Sequence, residues 1–240
     1  MVQTALLGLS LLTAGMAQKP APPKPEDWAA LAKLPDFSGV WEVTRGRGGF
    51  GGPEAQLQLT PKYDAMLKAY RAHPPQDSPA SNCVPPGMPG VMGQPYPIEF
   101  LLTPGKVTIV VEAYMQVRHI YTDGRKLPED PDLTYNGSSV GNWDKDTLVV
   151  ESVGFTPDTT LAAGTHHSDK MKITERMRLA SPDLLEITTT VEDPEALAKP
   201  WTRTTSFARH RDWTTAEYVC QQNNRNSVDD TGKAGINLSR

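Results

Sequence analysis

From residue 98 to residue 209 the chain alternates short extended segments with tight turn signals, and that rhythm restricts it to an all-β design. Segment 98–102 ends at Thr103-Pro104-Gly105-Lys106, segment 107–121 at Thr122-Asp123-Gly124-Arg125, and segment 138–143 at Asp144-Lys145-Asp146. Segment 147–153 follows, then 170–179 with its turn at Ser181-Pro182-Asp183, then 184–192 and 201–209. Turn residues at such spacing join neighbouring antiparallel strands. With a first strand through Val40-Trp41-Glu42-Val43, the count comes to eight or nine candidates. So many meandering strands must bury one face and dispose of their free edges. Closure into an antiparallel up-and-down barrel does both, and two packed sheets are the alternative.

The helical signals are few. Thr60-Pro61 reads as an N-cap followed by proline at the first helical position, and Tyr63, Met66, Leu67 and Tyr70 then share one face of a helix that packs outside the barrel. Residues 26–34 suggest a short helix carrying Trp28 and Leu31, and 194–199 also looks helical. Residues 74–97 form a long loop rich in proline and glycine, as does the stretch 46–52. Gly39-Val40-Trp41 resembles the opening of lipocalin-like barrels, in which the tryptophan closes the base. An eight-stranded barrel of that kind has room inside for one small ligand.

Segment 107–121 carries the densest row of polar chemistry. Read as one uninterrupted strand, it turns Glu112, Tyr114, Gln116 and Arg118 to one face and Met115, His119 and Tyr121 to the other. Along 170–179 the apolar face holds Met171, Ile173, Met177 and Leu179, interrupted by Glu175. A carboxylate between methionines suits a general acid or base, or else it pairs with an arginine such as Arg118 to close the interior. The expected catalytic set is therefore His119, Glu175, Glu112, Arg118 and Tyr121, with Tyr114, Gln116, Met115, Trp143 and His167 contacting a ligand. His119 or Glu175 moves the proton, Arg118 and Tyr121 hold an oxygen, and Glu112 sets the electrostatics.

Gly164-Thr165-His166-His167-Ser168-Asp169 opens the next strand from a loop. The expectation is no cofactor. The alternative is a divalent metal held by His166, His167 and Asp169, although adjacent histidines on extended backbone point to opposite sides. Serine-hydrolase and nucleotide-hydrolysis signatures are missing: the chain has neither a G-x-S-x-G elbow nor a phosphate-binding G-K-[ST] loop.

Net charge is −4 with 24 basic and 28 acidic residues, so no broad basic surface draws nucleic acid. Residues 5–15 are an apolar run followed by Gly15-Met16-Ala17, whose small residues suit signal-peptidase cleavage before Gln18. The organisation expected is a signal peptide over 1–17, a linker and short helix over 18–35, a single barrel domain over 36–225 and a flexible tail over 226–240. Beyond residue 17 no stretch reaches the roughly 20 apolar residues of a membrane span. A periplasmic or extracellular location follows, and in that oxidising setting Cys83 and Cys220, the two cysteines of the chain, are expected to pair.

Several stretches together resemble a family of exported bacterial proteins of unassigned function. They are N-C-V-P-P-G-M-P (82–89), P-Y-P-I-E-F (95–100), R-H-I-Y-T-D-G-R (118–125), S-V-G-N-W-D-K-D-T-L-V-V-E (139–151), H-S-D-K-M-K-I-T-E-R (167–176), E-D-P-E-A-L-A-K-P-W (192–201) and E-Y-V-C-Q-Q-N-N-R (217–225). The resemblance implies no particular reaction. It does imply that the loop holding Cys83 and the tail holding Cys220 occur together.

These readings lead to an exported enzyme performing elimination, isomerisation or hydrolysis on a small molecule in a polar-lined barrel pocket. A non-catalytic carrier of an apolar or aromatic ligand is the second expectation, and a structural or adaptor protein of the envelope the third. Neither nucleic acid nor a membrane span is expected as a partner.

Overall fold

A computed structural model describes residues 22–44, 57–75, 79–162 and 164–220, and the backbone of 226–228 and 234–236. The segment read as a signal peptide and the glycine stretch 46–52 lie outside the described residues.

Nine strands close into one barrel. They are β1 (Gly39–Val43), β2 (Ile98–Thr103), β3 (Lys106–Val111), β4 (Gln116–Tyr121), β5 (Ser138–Asp144), β6 (Thr147–Val153), β9 (Lys172–Ser181), β10 (Leu184–Glu192) and β11 (Trp201–His210). A short pair, β7 (Thr160–Ala162) and β8 (Thr165–His166), occupies the connection between β6 and β9. Around the barrel the order is β1-β11-β10-β9-β6-β5-β4-β3-β2, and β1 pairs antiparallel with both β2 and β11. Among the described residues the α-helices are α1 (Pro25–Leu31) and α2 (Pro61–Ala72), which fall on the short helix expected within 26–34 and the helix expected to start at Pro61. The 194–199 segment is a turn, and within the tail read as flexible, β12 (Asn226–Val228) pairs with β13 (Ala234–Ile236). Among the described residues no helix is long and apolar enough to cross a membrane.

The expected 107–121 strand is two strands. It turns back on itself after Val111, so that β3 and β4 form a hairpin in register Val111↔Gln116 and Ile109↔Arg118. Nothing in Val111-Glu112-Ala113-Tyr114-Met115-Gln116 announces a turn, and both Tyr114 (φ 59°) and Met115 (φ 49°) are held in the left-handed region. For L-residues that conformation costs roughly 1–2 kcal/mol each. The offset comes from far along the chain. Ala216 N donates to the Glu112 carboxylate at 2.8 Å, Tyr218 N to Met115 Sδ at 3.4 Å, and the Tyr218 ring packs 5.4 Å from that of Tyr114 and 5.2 Å from that of Tyr96. The disulfide Cys83–Cys220 ties this arm to the loop before β2.

This break changes the parity of the barrel. A closed sheet whose neighbours all run antiparallel needs an even number of strands, and a ninth strand forces a parallel contact somewhere. That contact is between β4 and β5, and it is slight: Ile120↔Ser139 and Tyr121↔Val140 are its register pairs. Every other neighbour pair around the barrel runs antiparallel. Parallel neighbours also need a crossover, here residues 122–137, instead of a tight turn. Gly137 (φ +64°) lets it pass close to β6, since a Cβ there would stand 2.6 Å from the Val153 carbonyl oxygen.

The lumen is a packed core. Alternate residues of each strand point inward, and Trp41, Phe100, Ile109, Ile120, Leu148, Val150, Met177, Leu185 and Phe207 are all buried. Phe37 covers one end beside Phe100 and Trp143, and Trp41 donates its indole N–H to the Phe37 carbonyl at 2.9 Å. The Arg209 guanidinium lies 4.4 Å over the Trp41 ring. From the long proline and glycine loop, Met88, Val91 and Met92 join the same core.

Candidate functional site

The β4–β5 seam organises the polar chemistry on both of its faces. On the outer face the crossover stands away from the wall and leaves a groove of about 540 Å³, lined in part by Gln116, His119, Tyr121, Arg125, Asn136 and Ser139. On β4 the alternation turns Gln116, Arg118 and Ile120 inward and Val117, His119 and Tyr121 outward. His119 is exposed, with Nδ1 3.5 Å from Thr108 Oγ1 on β3. Arg125 stacks 3.7 Å over the Tyr121 ring and is tied to Asp123, which fixes the phenol and holds the Asp123 carboxyl below the usual range.

Gln116 and Asn136 bridge the stretch where β4 and β5 part. Gln116 Nε2 donates to the Tyr114 carbonyl at 3.2 Å, and Asn136 Nδ2 donates to Gln116 Oε1 at 3.2 Å and to the Val117 carbonyl at 3.4 Å. The carbonyl acceptors set the orientation of both amides.

Beneath the seam lies a buried ion pair. Arg118 and Glu175 are 2% and 1% exposed, and the guanidinium meets the carboxylate as a fork, Nη1 donating to Oε1 at 3.1 Å and Nη2 to Oε2. Nη2 also donates to Ser152 Oγ at 3.3 Å, and Ser152 Oγ lies 2.7 Å from Ser139 Oγ. Arg118 thus reaches from β4 past β5 to β6 and β9, bracing the one place where backbone pairing is weakest. This is the pairing considered above as the alternative role of Glu175.

The expected residues therefore fall into groups. His119, Tyr121 and Gln116 share the groove, while Arg118 and Glu175 share the lumen. Glu112 does not join them: the shared face proposed for it required one continuous strand, and at the hairpin tip its carboxylate accepts from the C-terminal arm instead. Tyr114 sits in the cluster with Tyr96 and Tyr218, where burial pushes both the Tyr114 and Tyr218 phenols above their ordinary range. Met115 is 49% exposed at the tip. Trp143 packs 5.3 Å from Phe37 at the closed end, away from the groove lining.

His166 and His167 part as expected. His166 pairs with Thr160 across β7 and β8, whereas His167 is 2% exposed. His167 Nδ1 donates to the Ser168 carbonyl at 2.8 Å, which leaves Nε2, 2.8 Å from Thr159 Oγ1, as the acceptor in the neutral ring. Burial lowers the His167 pKa and favours that neutral form. Asp169 turns outward to Lys170. Among the described residues no three His, Cys, Asp or Glu side chains gather in a group that could hold a metal ion.

Asp193 is absent from the expected site residues. It is buried and accepts from Ser168 N at 2.6 Å, Ser168 Oγ at 2.8 Å, Glu195 N at 3.0 Å and Ala196 N at 2.9 Å. The signal was available, since aspartate before Pro194 is a turn former that bonds the backbone just ahead of it. It borders a second cleft of about 990 Å³, whose lining includes Leu133, Met171, Lys172 and Leu197, and Leu127 and Pro128 line both clefts.

No protein-family model and no curated protein matches this chain. The functional reading rests on the geometry of the seam.

Proposed function

We propose that the protein is an exported small-molecule enzyme whose ligand occupies the groove outside the β4–β5 seam, with His119 as the group that moves a proton. One observation carries the reading: the groove gathers an imidazole, a phenol and two amides from His119, Tyr121, Gln116 and Asn136 on a concave surface of about 540 Å³. Glu175, the other acid/base candidate, is engaged by Arg118 inside a filled lumen, which favours a structural role. In this reading Tyr121 and the amides orient the ligand, and Arg125 keeps the Tyr121 ring in place. The chemistry is proton transfer of the kind used in elimination, isomerisation or hydrolysis. Export is supported by the apolar run at 5–15 with Gly15-Met16-Ala17 after it, and by the disulfide.

The test is a small-molecule screen followed by NMR mapping on the full mature chain. Ligands that turn over should displace the His119 and Tyr121 resonances, and His119→Gln should abolish turnover while thermal stability and ligand binding persist. Turnover that survives His119→Gln, or ligands that map away from the groove, would refute the assignment.

A further inference from the structure

The crossover that covers the groove sorts its charges by position. It begins with the run Arg125-Lys126-Leu127-Pro128-Glu129-Asp130 just after its turn. Arg125 and Lys126 line the groove, Glu129 and Asp130 line the second cleft, and Leu127 and Pro128 border both. The ionisable side chains around the groove are His119, Tyr121, Arg125, Lys126 and Tyr135, and its lining includes no aspartate or glutamate. The groove is thus basic where the crossover meets it.

The two cations are not equivalent. Arg125 is tied to Asp123 through Nε and Nη2 and lies over the Tyr121 ring, so its charge is answered beside the groove. Lys126 is exposed and forms no ion pair among the described residues. One full positive charge therefore borders the groove, next to apolar surface from Val117, 45% exposed on the outer wall, and from half-buried Leu127. The chain as a whole carries −4 and repels small anions at long range, so a preference for an anion has to come from this local charge.

We infer that the ligand of the seam groove is a small amphipathic carboxylate, held by Lys126 at the crossover with its apolar body against Val117 and Leu127. The inference rests on the groove being the site, as proposed above, and gives that site its substrate class. A monoanion matches the single uncompensated cation, whereas a phosphate dianion brings a second negative charge with no cation left to meet it. The carboxylate is a handle, and the uncharged part of the ligand reaches His119 on the wall. Lys126 determines specificity and takes no part in moving the proton.

The experiment compares two probes of one skeleton on the full mature chain, hydrocinnamate and its neutral amide, hydrocinnamamide. Binding is followed by NMR at the His119 and Tyr121 resonances, at neutral pH, where the probe acid is ionised. The expected result at about 20 mM salt is a preference for the carboxylate of about fivefold or more, the factor for one charge pair about 4 Å apart in water, shrinking toward one at about 500 mM salt. Lys126→Gln should bring the preference to about one while amide binding is unchanged, and Lys126→Arg should keep it. Equal binding of both probes, each displacing His119, overturns the carboxylate inference and leaves the groove as the site. A preference unchanged in Lys126→Gln overturns the role of Lys126. Probes that leave His119 and Tyr121 undisturbed up to their solubility limit overturn the inference and the groove assignment together. The probe comparison on the unmodified protein needs no variant to fold.

Discussion

Replacing Glu175 with glutamine separates a brace from a catalyst. The substitution keeps the size of the side chain but removes the charge, leaving the Arg118 guanidinium buried at 2% exposure without its counter-ion. Removing one partner of a buried ion pair typically destabilises a protein by about 3–5 kcal/mol, because the remaining charge stays desolvated. Here the upper part of that range is expected. The lost contact is a two-pronged fork, and it spans a seam held by the register pairs Ile120↔Ser139 and Tyr121↔Val140. For a chain of this size each kcal/mol shifts Tm by roughly 2–4 °C, so a loss of about 4–5 kcal/mol should make Glu175→Gln melt about 8–20 °C lower. The double variant Arg118→Met with Glu175→Leu replaces both charges by apolar groups and should recover most of the loss. Urea unfolding followed by tryptophan fluorescence, with the disulfide intact, measures all three proteins. A loss below about 1 kcal/mol in Glu175→Gln, with turnover abolished, would refute the brace and return Glu175 to the proton path.

Three further outcomes follow from other contacts. His167 has its pKa lowered from 6.5 by burial, so above that value neither state takes up a proton there, while below it the unfolded chain binds the proton and the folded chain resists. Stability should therefore fall as pH drops from about 6.5 toward the lowered folded value, despite the partial compensation from nearby Asp193, and urea midpoints at pH 7.5 and 5.0 should show a dependence that His167→Gln reduces. Removing the disulfide by Cys83→Ser with Cys220→Ser opens a loop with a sequence separation of 137, worth up to about 5 kcal/mol in the chain-entropy estimate, and a stability loss under 1 kcal/mol would show that the arm is held by other contacts. Met115→Gly relieves a left-handed L-residue at an exposed position and should raise stability by about 0.5–1 kcal/mol in urea unfolding; a clear loss would mean that the Tyr218 N–H to Met115 sulfur contact outweighs the strain.

The strands were legible because their information is local. Thr103-Pro104-Gly105-Lys106 and Ser181-Pro182-Asp183 mark real hairpins, and alternation along 172–179 put Ile173, Glu175 and Met177 inside, where they are found. The pairing of Cys83 with Cys220 followed from the cysteine count and the expected compartment, and it is present. The turn at 112–115 was hidden because its cause is not local. Val110, Val111 and Val117 favour extended backbone on either side, and the residues that hold Tyr114 and Met115 at positive φ belong to an arm a hundred residues further on. Arg118 facing inward was still recovered, since the alternation restarts in the right phase at Gln116.

That hidden turn is also what produces the groove. Had residues 107–121 run on as one strand, eight strands would close with antiparallel neighbours throughout, and hairpins would leave the outer wall bare. The return at Glu112 adds the ninth strand and the parallel contact that an odd count requires, so β4 and β5 need a crossover. It is this crossover, leaning on Gly154 and Phe155 through the Thr134 backbone, that stands over His119 and Tyr121 and encloses the groove. The arm bonded to Glu112 and Met115 is connected to the groove through β4. Loosening the arm should relax the hairpin tip, then the register of β4, and only then the groove. Reduction of Cys83–Cys220 should accordingly change the Tyr114 and Tyr218 resonances before those of His119, and the reverse order would mean that the groove is independent of the turn.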